Sequence, residues 1–196
     1  MTQVKWVLRS HFQNKVMNYR WQPTTLDISA DQAFMGEAIE VIQPKSYPLS
    51  STVHRNGKAI QDTRELSGKD IDYDRWQRYA DTKLACAYFG RELDIRAKQA
   101  GGKVKSVIAH PGWASTGLQV HYPTRAHVLA QSPKQGARSQ IRAALDEIQG
   151  GEFYGPRLEL WGKPTKICGS KLSRDLQESK KLWEMTEELT GEFTVS

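Results

Sequence analysis

Tyr79 and Lys83, in the run Tyr-Ala-Asp-Thr-Lys, are residues whose types and spacing could do chemistry in this 196-residue chain. On an α-helix, four residues rise about 6 Å and return almost to the same face, so both side chains would project together. A free tyrosine has a pKa of about 10, and a neighbouring ammonium lowers the pKa by stabilising the phenolate. Such a pair could exchange a proton with an alcohol or a carbonyl oxygen.

The spacing alone leaves a second interpretation open, because an exposed tyrosine and lysine often stand four residues apart on a helix without any chemical role. Cys86, Ala87 and Gly90 continue the same face with small side chains. This run predicts room beside the pair for a ligand or a partner.

A long helix is predicted to carry the pair. Asp72 or Asp74 can cap its beginning, it runs to about Gln99, and Gly101-Gly102 stops it. Its apolar row has i, i+4 spacing and consists of Trp76, Ala80, Leu84 and Tyr88, with Phe89 and Leu93 beside it.

The segment that follows predicts a parallel sheet. Residues 104–110 (VKSVIAH) form a short, nearly continuous apolar run, which is typical of a buried parallel strand. A helix, a glycine turn and such a strand make half of a βαβ unit, so the fold class is α/β. The loop of residues 111–117 follows the strand at its carboxyl end, where open α/β sheets bind ligands.

The last third of the chain is predicted to alternate between helices and loops. Residues 134–149 are expected to be helical, residues 152–162 form a loop with a short strand, and residues 173–191 form a final helix. The expected apolar stripe of that last helix is Leu176, Leu182, Met185 and Leu189. Ahead of these elements, Trp6–Leu8 could begin a strand and Ala30–Val41 could form a helix.

Composition favours one globular domain in a reducing compartment. The chain has 38% hydrophobic and 26% charged residues, enough for one core but too little for two full domains. It has no uninterrupted apolar stretch of about 18 residues and no apolar signal-peptide core, so we expect a cytoplasmic protein without a membrane span. Its two cysteines, Cys86 and Cys168, make neither a disulfide framework nor a metal-ligand spacing.

The basic balance does not by itself indicate nucleic-acid binding. The net charge is +6, and the clear excess lies in residues 101–150, with six basic and two acidic side chains. No run of like charge occurs and no aromatic residues alternate with the basic ones, so a solvated surface is favoured. A basic rim around an anionic cofactor is the other interpretation.

From about Ser50 to its end, the chain resembles the C-terminal half of the short-chain dehydrogenases/reductases, above all the subgroup of retinol dehydrogenases and protochlorophyllide reductases. The motifs that carry the resemblance follow one another in the family's order and spacing. They are SSTVHR (50–55), YDRW (73–76) running into Tyr79-x-x-x-Lys83, HPG (110–112) with Thr116, YGP (154–156), LWE (182–184) and ELTG (188–191).

The resemblance implies roles for six residues. Tyr79 corresponds to the catalytic acid/base, Lys83 to the residue that assists it and holds the nicotinamide ribose, and Ser51 to the serine that positions the substrate oxygen. Pro111, Gly112 and Thr116 match the loop that touches the nicotinamide side of the cofactor, which would be NADP or NAD. The implied substrate is a small-molecule carbonyl or alcohol. Relatives in the family commonly pair through the tyrosine-bearing helix, so a homodimer through Trp76, Leu84 and Tyr88 is a further possibility.

The sequence departs from the family in its first part. It contains no G-x-x-x-G-x-G loop, and its only glycine before Gly57 is Gly36. Pro44 and Pro48 stand where the family has an apolar strand, and each of them would break a central strand. Asn18 is a poor match for the family asparagine of the proton relay. We therefore expect a partial Rossmann-like parallel sheet with flanking helices that lacks the N-terminal dinucleotide-binding βαβ half. Residues 1–49 would be an atypical segment and residues 50–196 the catalytic half.

Two functional hypotheses follow. In the first, the chain is an NAD(P)-dependent oxidoreductase, truncated relative to the family, in which Tyr79 works with Lys83 and Ser51. In the second, it is a non-catalytic fragment or a dimerising interaction module that does not bind the cofactor.

Overall fold

A computed structural model describes residues 45–68, 73–115 and 129–194. The strand expected at Trp6–Leu8 and the helix expected at Ala30–Val41 lie outside these ranges. The strands are β1 (Lys45–Ser46), β2 (Lys105–Ser106), β3 (Ile108–Ala109), β4 (Phe153–Pro156) and β5 (Pro164–Ile167). The helices are α1 (Thr63–Ser67), α2 (Arg75–Gln99), α3 (Pro133–Gly136), α4 (Arg138–Leu145) and α5 (Leu176–Thr190), and two 3-10 helices span Thr52–Asn56 and Leu172–Arg174.

The apolar run at 104–110 forms the short strands β2 and β3, which have parallel partners as expected. Its β2 part pairs in parallel with β1, and its β3 part pairs in parallel with β4. The strand β5 then adds to β4 in the antiparallel direction. Val107, Ile108 and Ala109 are fully buried, as a strand covered on both faces requires. The α/β class, with a small parallel sheet and flanking helices as in a partial Rossmann-like fold, is confirmed.

The expectation that Pro48 breaks the strand before Ser50 is wrong in part. Pro48 has no N–H to donate, but its carbonyl oxygen accepts the N–H of Ala109 at 3.1 Å, and the N–H of Ser50 donates to the carbonyl oxygen of Ala109 at 2.8 Å. Strand pairing at Lys45–Ser46 therefore resumes as a bridge between Leu49 and Ala109. Proline is tolerated because the bonds it must make to this neighbour use its carbonyl.

The long helix α2 is confirmed, and Asp74 is the residue that caps it. Its Oδ1 atom accepts the N–H groups of Trp76 at 2.8 Å and Gln77 at 2.7 Å. These two bonds satisfy N–H groups that have no partner in the first turn of a helix. The helix ends at Gln99, immediately before the predicted Gly101-Gly102 stop.

The small residues of α2 face the sheet, which corrects the expectation of room for a ligand there. Ala87 is fully buried and packs with Ile108 and Phe153. A Cβ atom on Gly90 would lie 2.8 Å from Cγ1 of Ile108 and 2.9 Å from Cγ of Pro48. Small side chains at these positions therefore let the helix approach the strands closely.

The other face of α2 packs on α5, and an apolar cluster fills this contact. Leu84 and Tyr88 are buried there at 0% and 2% exposure. The cluster also contains Ile60, Leu66, Leu182 and Met185. Leu84 and Tyr88 thus contact this chain's own core, and only Trp76 of the three proposed dimer residues is not buried.

The stripe predicted for the last helix is half right. Leu182 and Met185 are buried, whereas Leu176 and Leu189 are 53% and 45% exposed. Trp183, absent from the predicted stripe, is buried and stacks on Phe89 with ring centroids 5.3 Å apart. The face of α5 that packs on α2 is therefore rotated toward Trp183 relative to the predicted stripe.

The helical region predicted at 134–149 is two short helices. A capping box at Ser132 and Gln135 starts α3, and α4 follows directly after Ala137. The second helix ends at Leu145, ahead of the expected end at Gly150. The short strand expected within 152–162 is β4, and it is entirely buried.

Candidate active site

The structure places Tyr79 and Lys83 side by side on α2. The Nζ atom of Lys83 lies 5.7 Å from the centroid of the Tyr79 ring, and both residues are half-buried. The same Nζ donates a hydrogen bond to the carbonyl oxygen of Leu49 at 3.2 Å. This bond directs the ammonium toward the end of the sheet and ties it to the loop that follows β1.

That loop, residues 49–58, is called the serine loop here because it carries Ser50 and Ser51. Ser50 is buried, and its hydroxyl donates to the carbonyl oxygen of Lys83 at 2.7 Å. Ser51 is half-buried and caps the 3-10 helix Thr52–Asn56, with its hydroxyl 3.5 Å from the N–H of Val53. Ser50 is therefore a packing residue, and Ser51 is the serine of the pair that is not fully buried.

The far end of the serine loop is held on the same helix. The N–H of Lys58 donates to the buried carboxylate of Asp81 at 2.7 Å. Gln77 donates to that carboxylate at 2.7 Å and also to the carbonyl oxygen of Asn56 at 3.1 Å. A Cβ atom on Gly57 would lie 2.7 Å from the carbonyl oxygen of Ala80, so only glycine fits between loop and helix. Contacts at both ends thus position Ser51 relative to α2.

The buried ring of His54 connects the serine loop to the interior through two hydrogen bonds. Its Nδ1 atom lies 2.6 Å from the carbonyl oxygen of Ser51, and its Nε2 atom accepts the N–H of Ser170 at 3.0 Å. Because Nε2 accepts, the proton of the neutral ring is on Nδ1, which donates to Ser51. Burial lowers the pKa of His54, so the neutral form that this pair of bonds requires is favoured.

Pro111 and Gly112 lie in the loop after β3, residues 110–115, called the Pro-Gly loop here. Gly112 has φ of +74°, and a Cβ atom on it would lie 2.6 Å from the carbonyl oxygen of Leu160. The side-chain amide of Gln131 donates to the carbonyl oxygens of Pro111 at 3.2 Å and Leu160 at 2.7 Å. Glycine is needed here for both its backbone conformation and its lack of a side chain.

A second buried histidine holds the Pro-Gly loop. The Nδ1 atom of His110 accepts the N–H of Gly112 at 3.1 Å, and the ring packs edge-on against Phe153 with centroids 5.5 Å apart. His54 contacts the same phenyl ring at 5.1 Å. The pKa of His110 is lowered to about 4, mainly by burial and also by the nearby His54 and Arg55, whereas Glu159 opposes the shift.

One turn, residues 158–161, joins the two loops. The N–H of Trp113 donates to the carbonyl oxygen of Leu160 at 3.0 Å, and the hydroxyl of Thr52 donates to the carbonyl oxygen of Glu159 at 3.3 Å. The guanidinium of Arg55 forms an ion pair with the carboxylate of Glu159. Glu159 has φ of +63°, a left-handed conformation that non-glycine residues rarely adopt.

Several residues of this region were not among the sequence-predicted site residues. His54 and His110 lie inside the two quoted motifs, SSTVHR and HPG, so their position beside Ser51 and Gly112 was a usable signal. Gln131 and Glu159 have no such signal, because they reach the loops only through tertiary contacts. Thr116, the remaining predicted residue, lies outside the described residues.

Two further properties concern the described ranges only. No helix within them is both long and apolar enough to cross a membrane. Nor do their histidine, cysteine, aspartate and glutamate side chains form a group of three that could hold a metal ion.

The chain is similar to known short-chain dehydrogenases/reductases. It is 26% identical over 175 residues to "Short-chain dehydrogenase/reductase prx1" of Penicillium roqueforti, a match that covers 80% of this chain and 49% of the relative. It is 31% identical over 134 residues to "Short-chain dehydrogenase/reductase pkfC" of Emericella nidulans, covering 61% of this chain and 41% of the relative. No family model matches the chain.

A solved structure supports the fold class. The crystal structure of an uncharacterized protein from Mycobacterium Paratuberculosis aligns with a TM-score of 0.63 and 28% identity, covering 76% of this chain and 50% of that one. The chain thus spans about half the length of the proteins it matches. The fold and the named relatives together support kinship with the short-chain dehydrogenases/reductases.

The hydrogen-bond donors of this site fit the nicotinamide-ribose end of the cofactor better than its pyrophosphate end. Lys83 is bonded to one carbonyl oxygen, which leaves further N–H donors on its ammonium for ribose hydroxyls. The pyrophosphate end normally rests on a glycine-rich loop at a helix N-terminus, and no G-x-x-x-G-x-G loop occurs in the sequence.

Proposed function

We propose that this chain is a short-chain oxidoreductase of the NAD(P)-dependent type, and that it interconverts a carbonyl and an alcohol on a small molecule. The observation that carries the proposal is the position of the Lys83 ammonium, between the Tyr79 ring at 5.7 Å and the carbonyl oxygen of Leu49 at 3.2 Å. The pair therefore stands beside the loop that presents Ser51. A similarity to the retinol dehydrogenase subgroup is part of the proposal and rests on the sequence motifs alone.

The proposed chemistry assigns one task to each side chain. The Tyr79 hydroxyl gives a proton to the carbonyl oxygen during reduction and takes it back during oxidation. The Lys83 ammonium stabilises the negative charge that the tyrosine oxygen then carries, and Ser51 donates a hydrogen bond that positions the substrate oxygen. Bound NADPH or NADH would supply the hydride. Pro111, Gly112 and Thr116 are proposed to contact the nicotinamide side of the cofactor.

A second candidate function has an observation in its favour. The sequence lacks the glycine-rich loop that lets a backbone approach the pyrophosphate, and the chain spans about half the length of its relatives. We therefore also propose, as the alternative, that the chain corresponds to part of such a domain and does not bind the cofactor by itself. The burial of Leu84 and Tyr88 argues against a dimer interface built on these two residues.

Calorimetric titration of the folded chain with NADPH and NADH separates the two candidates. Saturable binding that is lost in Lys83→Ala and kept in Lys180→Ala, an exposed lysine on α5, would support the oxidoreductase. Carbonyl reduction by the wild-type chain that disappears in Tyr79→Phe would support the assignment of the proton donor. A folded chain that binds neither nucleotide contradicts the oxidoreductase for this chain and supports the alternative.

A further inference from the structure

Two arginines are hydrogen-bonded to one turn at the junction of α2 and the second 3-10 helix, and neither forms an ion pair with a described carboxylate. The Nε atom of Arg91, on α2, donates to the carbonyl oxygen of Ser173 at 3.2 Å. The Nε atom of Arg174 donates to the carbonyl oxygen of Ser170 at 3.4 Å. Both guanidinium groups therefore donate a hydrogen bond from Nε to the backbone of one turn, residues 170–173.

That turn is itself well ordered by buried hydrogen bonds. The hydroxyl of Ser173 donates to the carbonyl oxygen of Ser170 at 2.9 Å, and the N–H of Ser173 donates to the hydroxyl of Ser170 at 3.0 Å. Both serines are buried. The two carbonyl oxygens that receive the arginines are thus held at a set separation, which limits how far the guanidinium groups can move apart.

The charge of the arginine pair is not neutralised within the described residues. Neither guanidinium forms an ion pair there, and their terminal nitrogens donate no hydrogen bond to any described atom. Arg91 is half-buried, and its pKa is lowered first by burial and then by the positive charge of Arg174. The positive charge of Arg174 therefore acts on a half-buried guanidinium, which raises the free energy of the unliganded protein.

Two neighbouring carboxylates, Asp94 and Asp175, make hydrogen bonds or ion pairs with other groups. Asp94 acts on Arg91 electrostatically, but its carboxylate binds Lys98 at 2.6 Å and the N–H of Ser106 at 3.3 Å. Asp175, next to Arg174, caps α5 through its Oδ1 atom, which accepts the N–H of Gln177 at 2.9 Å. Neither carboxylate is therefore hydrogen-bonded to the arginine pair, whose terminal nitrogens remain available to an external anion.

We propose that Arg91 and Arg174 form a binding site for the phosphate group of a soluble small molecule. A tetrahedral dianion can accept hydrogen bonds from the terminal nitrogens of both planar guanidinium groups at once, whereas a single carboxylate has oxygens in one plane only. The proposal is independent of the oxidoreductase function.

Titration of the full chain with inorganic phosphate, followed through the Nε–Hε NMR signals of its arginines, tests the site. At pH of about 7.5, where phosphate is mostly a dianion, sodium chloride holds the ionic strength constant. We expect saturable shifts of the Arg91 and Arg174 signals, and the same with methyl phosphate. We expect roughly tenfold weaker binding in Arg174→Gln and in Arg91→Gln, since each loses charge-assisted hydrogen bonds.

Arg138→Gln is the matched control, because Arg138 is an exposed arginine on α4 without an ion pair among the described residues. It should bind phosphate like the wild type. Arg174→Lys should bind with an intermediate affinity, because lysine keeps the positive charge but lacks the planar set of N–H donors of a guanidinium. If Arg91→Gln does not fold, Arg174→Gln is sufficient, since Arg174 is exposed. Equal weakening in the Arg138 control, equal binding of acetate, or shifts that do not saturate would each overturn the proposal.

Discussion

The serine loop and the Pro-Gly loop are held to the protein in different ways. The serine loop lies directly on α2, with bonds from Ser50 at one end and Lys58 at the other. The Pro-Gly loop rests on the turn at residues 158–161 and on the amide of Gln131. The position of Ser51 relative to Tyr79 is therefore built into one helix and its adjoining loop. The position of Gly112 depends on loops that come from distant parts of the chain.

The two loops also share one device, a buried neutral histidine that accepts a backbone N–H. His54 does this for the serine loop, and His110 does it for the Pro-Gly loop. Both rings contact Phe153. Protonation of either ring would remove an acceptor that the backbone of its region uses, so both loops should respond to acid.

The largest effect is expected where close packing and backbone conformation act together. We expect Gly112→Ala to lower the free energy of unfolding by about 4 kcal/mol, since left-handed backbone costs about 1–2 kcal/mol and overpacking about 1–3 kcal/mol. Gly101→Ala is the control, because Gly101 has φ of +67° but open space around it. Its loss should be only about 1 kcal/mol. Urea unfolding followed by circular dichroism measures both, and equal losses would show that the neighbours of Gly112 can move.

Acid should weaken the fold through His110. Its pKa is about 4 in the folded chain against an ordinary value of 6.5, so the unfolded chain binds the proton first as pH falls. The stabilisation is complete above pH of about 6.5, and about 3 kcal/mol is lost on approaching pH 4. His54, whose pKa is also lowered, acts in the same direction.

Urea unfolding at a series of pH values measures this loss. His110→Asn is the informative variant, because its amide oxygen can replace the Nδ1 acceptor but does not titrate. The variant should show a smaller decrease between pH 6.5 and pH 4 than the wild type. A decrease of the same size in both would mean that other groups cause the acid sensitivity.

Gly57→Ala tests how tightly the serine loop packs on α2, and the substitution adds no backbone strain. Gly57 has φ of −70°, which alanine adopts freely, but the added Cβ would lie 2.8 Å from Cβ of Leu84. We expect a loss of about 2 kcal/mol in the free energy of unfolding from overpacking alone. Asn56→Ala, at the exposed neighbouring residue, should change it by less than about 0.5 kcal/mol. A neutral Gly57→Ala would indicate that the loop can lift from α2.

The smallest effect is expected at Glu159, in the turn that joins the loops. Glu159→Ala removes a partly exposed ion pair with Arg55 and should cost about 0.5 kcal/mol. Glu159→Gly removes the same ion pair but relieves the left-handed backbone, so it should be about 1 kcal/mol more stable than Glu159→Ala. Thermal unfolding of the two variants side by side shows the sign. The reverse order would contradict strain at this position.

Much of α2 and of the candidate site was predictable because the signals are local. Asp74, the apolar row with Ala80, Leu84 and Tyr88, and the Gly101 stop identify the helix from residues close in sequence. The i, i+4 relation between Tyr79 and Lys83 follows from helix geometry alone. The buried strand at 104–110 was visible as an apolar run.

Other features were not predictable because they depend on which distant surfaces meet. The small side chains of α2 predict open space beside the helix, but Gly90 and Ala87 pack on the sheet. Pro48 reads as a strand breaker, but its carbonyl still pairs with Ala109. The rotation of α5 toward Trp183 follows from its contact with α2 and Phe89, since an amphipathic pattern defines a stripe only approximately.

The sequence by itself determined the α/β class, the helix that carries Tyr79 and Lys83, and the glycines that end or punctuate its elements, because these follow from backbone preferences and short-range periodicity. Tertiary structure alone decided which carbonyl the Lys83 ammonium binds, that His54 and His110 fasten the two loops, and that Arg91 and Arg174 meet at one turn. Most of these relations join residues more than thirty positions apart, as Lys83 with Leu49, His54 with Ser170 and Arg91 with Ser173 do. Their energies arise only when burial removes water from the groups involved.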